Sequence, residues 1–222
     1  MGNLFLVRHA QASFGAENYD QLSDLGLRQS IRLGQYWRAK GLVFNAVITG
    51  TLLRHAQTWA GIAQGAGFSL QAEIVSGLDE YDSQAVIQAV HPEPLPTPDT
   101  PELYRQHFRL LRQGLNEWML GRLHPHKMAT WQEFLSGITQ VLDWIRESQQ
   151  GNVLVISSGG PISSAIGHVL GAPTESIVEL NLRIRNSSVS ELIFSPKRYS
   201  LLSYNTLPHL DSTEHKGWVT YA

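Results

Sequence analysis

The chain has 222 residues, 42% of them hydrophobic, and seventeen basic against nineteen acidic side chains give a formal net charge of −2. That size and apolar content suit one globular domain over 1–222 with a large core and an inserted helical or lid region at about 83–149. The near-neutral charge, with no run of Lys or Arg, argues against a nucleic-acid partner, and the absence of cysteine excludes disulfides, thiolate catalysis and Cys-ligated metals.

The N-terminus carries no charged segment leading into an apolar run and cleavage site, and Leu6 stands where a myristoylation signal needs Ser or Thr. No apolar stretch approaches the roughly 20 residues that span a bilayer. The expectation is a soluble, cytoplasmic protein with no membrane partner; oligomeric state is left open.

In chain order, Leu4 to Val7 is an apolar strand that ends in Arg8-His9. A polar loop follows, and Ser23 is placed to cap a helix carrying Leu27, Ile31, Gly34 and Trp37. Ala46 to Thr49 is a second strand, after which Thr51 is expected to cap a helix with Arg54 in its first turn, running towards Gly65. A third strand is expected around Leu70 to Val75, followed by the acidic stretch Asp79-Glu80-Tyr81-Asp82. His91 to Pro101 holds five prolines and reads as a stiff connector. Two amphipathic helices follow, about Glu102 to Leu120 and Thr130 to Gln149, as lids or flanking helices.

Asn152 to Ile156 is the strongest strand pattern, and Ser157-Ser158-Gly159-Gly160-Pro161 leads into a helix through His168, with Pro161 suited to its first position. Ser187 to Phe194 and Tyr199 to Tyr204 are late strands joined through Ser195-Pro196-Lys197. Alternating strands and helices indicate a three-layer α/β/α sandwich with a mainly parallel central sheet.

Ligands in such sheets bind beyond the carboxyl ends of the strands. Arg8 and His9 leave the first strand, Arg54 follows the second, and Ser158-Gly159-Gly160 follows the strongest. These stretches meet at one rim, where helix N-termini add free N–H groups and positive dipole ends suited to an anion. Imidazole is a nucleophile near neutral pH, and guanidinium offers a fork of donors that matches phosphate. Alone, each block has a bland reading: Arg-His is a common dipeptide, repeated at Arg54-His55, and the run around Glu80 reads as a solvated acidic turn.

Together the blocks resemble the histidine phosphatase superfamily, which includes cofactor-dependent phosphoglycerate mutases and many phosphomonoesterases. Arg8-His9-Ala10 is similar to its Arg-His-Gly signature, and Leu52 to Thr58 to its second arginine motif. Leu78-Asp79-Glu80 is similar to its acidic loop, and Val155 to Gly160 to its late strand and turn. The resemblance implies that His9 takes the phosphoryl group and that Glu80 acts as general acid and then base. It implies further that Arg8, Arg54, Ser158 and Gly159 bind the phosphate, with no metal and no cofactor, and that the partner is a small phosphorylated substrate.

The chain departs from the pattern in three places. Ser158 stands where the late turn usually carries a second histidine, so that replacing Ser158 by His is expected to raise turnover. Ala10 replaces glycine. The loop from His9 to Leu22 is shorter than in the mutases and lacks their Phe-Ser-Gly-Trp-like stretch, which favours hydrolysis over mutase chemistry. Gln11 and Ser13 lie near enough in sequence to touch substrate, with idle loop residues the equal alternative.

His168, roughly 15 Å along its helix from Ser158, is expected to be structural or at the surface. His124 and His126 read as loop residues without a third metal ligand. His55 is expected to face away from the rim, because successive helix residues point about 100° apart. A serine hydrolase built on Ser158 lacks the Gly-x-Ser-x-Gly elbow. The rival reading is a pseudoenzyme that binds a phosphorylated ligand or partner without turnover, with Ser158 as its main argument.

Overall fold

A computed structural model describes residues 1–13, 20–96 and 99–221 of the chain. Strand β1 (Gly2–Arg8) is apolar on both sides of its pleat, and the alternation divides it cleanly. Leu4 and Leu6 enter one buried cluster, while Phe5 and Val7 enter another on the opposite face of the sheet. Helices cover both faces for that reason. On the Phe5 side, α1 (Asp24–Ala39) contributes Leu33 and Trp37, and α2 (Leu53–Ala66) contributes Trp59 and Ile62. The Leu4 side packs against α5 (Trp131–Ser148) and α6 (Gly159–Leu170) through Ile138, Leu142, Ile145, Ile162 and Ile166.

The six-stranded sheet also contains β2 (Ala46–Thr49), β3 (Glu73–Ile74), β4 (Gly151–Ser157), β5 (Val189–Ser195) and β6 (Arg198–Thr206), in the order β3-β2-β4-β1-β5-β6. The first four of these neighbours run parallel, and β5 and β6 are antiparallel additions. The fold is the expected three-layer α/β/α sandwich with a mainly parallel sheet.

Strands β1 and β4 lie side by side, yet their connections leave in opposite directions. From β1 the chain crosses by α1 to β2; from β4 it crosses by α6 and α7 (Thr174–Arg183) to β5. The two carboxyl ends therefore border the crevice where open α/β sheets bind ligands. Register sets Arg8 directly beside Ser157 at that edge.

Beyond the sandwich, α3 (Ser83–Val90) and α4 (Pro101–Met119) pack with α5 and α7 around Trp118, Trp131, Val86 and Val178. Among the described residues, no helix is long and apolar enough to cross a membrane.

Several local expectations are corrected. The third strand is only two residues long, because Glu73 and Ile74 pair with β2 at the sheet edge and Leu70 lies outside the ladder, exposed. Thr51 does not cap α2: Leu52 is the cap residue, and the Thr51 N–H and hydroxyl both donate to the Asp79 carboxylate at 2.6 Å. Helix α6 starts at Gly159, so Pro161 sits third, still in the first turn where its missing N–H is no loss. Ser23 does cap α1, accepting from the Gly26 N–H at 3.0 Å. Thr130 forms a full capping box with Glu133 at the start of α5. Of the proline-rich connector, Thr97 and Pro98 lie outside the described residues.

Candidate active site

His9 is held by its backbone before its side chain is considered. Its N–H donates to Ser157 O of β4 at 2.8 Å, and its carbonyl accepts from Ser187 N and Asn186 Nδ2, both at 3.3 Å. The next N–H, of Ala10, donates to Thr58 Oγ1 of α2 at 3.1 Å. The imidazole is then fixed by a 2.8 Å bond between Nδ1 and the Ala10 carbonyl. A carbonyl only accepts, so Nδ1 carries the proton and Nε2 keeps its lone pair. Burial first, and then the charges of Arg8 and Arg54, hold the His9 pKa well below the ordinary value of 6.5. His9 is therefore a neutral, single-tautomer imidazole at neutral pH.

Both guanidiniums are tied down. Arg8 Nη1 donates to Ile184 O at 2.6 Å, and the Arg8 side chain runs along the first turn of α6, where a Cβ built on Gly159 would lie 3.8 Å from Nε. Arg54 Nη1 bonds Asp20 Oδ1 at 2.7 Å. The other Asp20 oxygen accepts from Leu53 N at 2.8 Å and so serves the open N-terminus of α2 that Leu52 cannot cap.

Glu80 is delivered by a short 3₁₀ turn, Ser76–Leu78, whose Leu78 carbonyl accepts from Ser157 Oγ at 2.6 Å. Its carboxylate oxygens lie 3.1 and 3.2 Å from the Gly160 N–H at the start of α6. Burial pushes the Glu80 pKa up, while that N–H and then the Arg8 and Arg54 charges pull against the rise. Gly160 has no freedom to carry a side chain: a Cβ there would collide with Glu80 Oε1 and come within 2.6 Å of the Tyr81 ring.

Ser158 is fully buried and is the cap residue of α6, but its hydroxyl makes no capping bond. Serine is among the best N-caps, so this is a diverted hydroxyl. Its Oγ lies 2.8 Å from Nε2 of His55.

His55 corrects the expectation that it faces away from the rim. Its side chain is wholly buried, with its ring centroid 5.8 Å from that of His9 and tilted by 40°. The 100° rule applies to side chains projecting sideways from the middle of a helix. Here α2 points its N-terminal end at the site, and residues on different sides of that first turn reach it from either flank. Burial first, then Arg54, takes the His55 pKa down to about 3, with Asp20 opposing.

Arg8, His9, Arg54, Glu80, Ser158 and Gly159 are thus brought to one rim. Gln11 Oε1 accepts from Ser23 Oγ at 2.8 Å, and the Ser13 backbone N–H donates to Gln21 O at 2.8 Å. His168 is exposed near the far end of α6, and His124 and His126 are exposed on their loop. Among the described residues, no group of three or more His, Asp or Glu side chains is arranged to hold a metal. Sequence reading missed Asp20 and His55; no motif marks the first, whereas the repeated Arg-His dipeptide was a signal for the second.

A strand-end histidine between two arginines, a buried carboxyl and a glycine-rich helix start share one rim, an arrangement whose chemistry suits an anion held beside an unprotonated imidazole nitrogen. The family model for the histidine phosphatase superfamily (branch 1) matches residues 4–207. The chain belongs to that superfamily. Solved structures share its fold, with a TM-score of 0.66 in each of three cases. An alpha-ribazole phosphatase from Shigella flexneri is 19% identical, over 92% of this chain and 96% of that one. A mycobacterial glucosyl-3-phosphoglycerate phosphatase is 17% identical, over 93% and 99%. A phosphoglycerate mutase from Bacillus anthracis is 18% identical, over 94% of both chains. A sequence comparison with curated proteins finds no match.

Proposed function

We propose that the protein is a metal-independent phosphomonoesterase that works through a phosphohistidine on His9. The observation that carries this reading is the bond from His9 Nδ1 to the Ala10 carbonyl, which leaves Nε2 as the unprotonated, fixed atom of a neutral imidazole. In the first step Nε2 attacks phosphorus, the P–N bond forms as the P–O bond to the leaving group breaks, and Glu80 gives its proton to the departing alkoxide. In the second step Glu80 takes a proton from water as that water attacks phosphorus and releases His9. The raised pKa of Glu80 supports the first of its two roles, since an acid must still hold its proton near neutral pH.

Arg8, Arg54, the Ser158 hydroxyl and the Gly159 N–H hold the three peripheral oxygens, whose charge must be stabilised throughout, while the Gly160 N–H stays with Glu80. The three similar structures, two phosphatases and one mutase, agree with phosphate ester chemistry without choosing the substrate. In this reading Ser158 stands in for the second histidine that the superfamily's late turn usually carries.

The test is hydrolysis of an aryl phosphate in the presence of a strong chelator. The wild-type protein releases phosphate, and His9→Ala does not. Saturable phosphate binding with no product from the wild type would instead identify a pseudoenzyme.

A further inference from the structure

The late turn lacks its usual imidazole, yet another imidazole lies against the residue that replaces it. His55 Nε2 and Ser158 Oγ are 2.8 Å apart, and both side chains are fully buried. The ring has a made-to-fit berth. A Cβ on Gly50 would collide with His55 Nδ1 and lie 2.6 Å from Asp79 Oδ1, so that only glycine at position 50 leaves room for the ring. Among the described residues the Ser158 bond is the ring's one hydrogen bond, since Nδ1 is buried with no partner there. A buried polar ring kept on such terms costs stability, which a merely structural position would relieve by becoming apolar. Ser158, for its part, forgoes capping α6 to make this bond.

We propose that His55 and Ser158 act as one unit that replaces the missing second imidazole, His55 being the positioning residue and the Ser158 hydroxyl the group that meets the phosphoryl oxygen. The hydrogen-bond polarity follows from that task. The Ser158 O–H must donate to the phosphoryl oxygen, so its oxygen accepts from Nε2–H of His55, and the Nδ1 lone pair faces Gly50. His55 thereby fixes the rotor of a hydroxyl that would otherwise turn back to cap α6. The inference rests on the phosphate site proposed above. On this reading Ser158→His alone sets a second ring against the buried His55, so the transposed variant is the better test of the missing imidazole.

The test is a double-mutant cycle on His55→Ala and Ser158→Ala, read in kcat for an aryl phosphate and in the Kd of inorganic phosphate. It is accompanied by His55→Gln, whose amide can restore a donor, and by the transposed variant His55→Ala with Ser158→His. If the two residues act as a unit, each single change costs about 10²-fold in kcat and the double change costs little more than either. The Gln variant then recovers part of the loss, and the transposed variant exceeds His55→Ala. Additive effects, a Gln variant no better than Ala and no gain on transposition would overturn the proposal. If the wild type forms no product, the phosphatase reading fails by itself, and the cycle in phosphate Kd still decides the coupling: equal, non-additive losses support it and additive ones reject it.

Discussion

Each side chain at this rim is defined by what its neighbours forbid. The Ala10 carbonyl forbids the Nε2 tautomer of His9, and burial beside two guanidiniums forbids its protonation. Burial keeps Glu80 from ionising as readily as a surface carboxyl, although the Gly160 N–H and both arginines resist the shift. The proposed acid role predicts a leaving-group effect. Glu80→Gln should lose about 10²–10⁴-fold in turnover of alkyl phosphates, whose alkoxides need a proton, and far less with 4-nitrophenyl phosphate. Steady-state kinetics on the two substrates checks this, and equal losses would remove Glu80 from that role. At this scale Arg8, His9 and Arg54 were legible as rim residues because they stand at a strand end and a helix start, and Glu80 because it falls in an acidic run just after a short turn. His55 was not, since its direction depends on which end of α2 meets the sheet, and periodicity alone does not carry that information.

At the scale of elements, the site is made by chain ends meeting. Strands β1 and β4 finish level with each other, and α2 and α6 begin there. Sequence patterns located these elements well, because buried parallel strands are continuous apolar runs and glycine-rich turns break them sharply. Their exact starts were less legible. Thr51 has the composition of a cap but serves Asp79 across a loop, and α2 is instead completed by Asp20 from far along the chain. Such contacts are tertiary and leave no local trace.

The start of α6 carries a prediction of its own. Gly160→Ala would favour the helix by propensity, by roughly 1 kcal/mol. It also drives a methyl group into Glu80 and the Tyr81 ring. The expected outcome is a folded protein with alkyl phosphate turnover lowered about 10²-fold. Circular dichroism and the same kinetics check it, and wild-type turnover would show that the placing of Glu80 does not depend on the bare backbone at Gly160.

For the whole molecule, the sandwich was legible in the order of strands and helices, whereas the burial of imidazoles was not. His9, His55 and His209 are all inside, with pKa values drawn below the ordinary 6.5, to about 3 for His55 and His209; burial is the first cause in each. The unfolded chain takes up these protons near pH 6.5 and the folded one does not. Their contribution to stability is complete above 6.5 and is lost as pH falls, at about 1.4 kcal/mol per pH unit for each histidine. Glu80 and Glu191, with raised pKa values, act in the opposite sense above about 4.5, because the folded state then holds protons that the unfolded state has released. Three histidines outweigh two carboxyls. Urea midpoints should therefore fall between about pH 6.5 and 5, and a flat or rising midpoint would contradict the neutral, buried imidazoles on which the site depends.

The central claim is that His9 Nε2 takes the phosphoryl group, and trapping that adduct is its most direct test. The protein is mixed with an aryl phosphate and quenched within milliseconds in alkaline detergent, and the adduct is located by tandem mass spectrometry and ³¹P NMR. The account predicts one base-stable, acid-labile phosphoryl group on Nε2 of His9, absent from His9→Ala. Turnover with no such adduct, or an adduct on any other residue or on Nδ1, would contradict it.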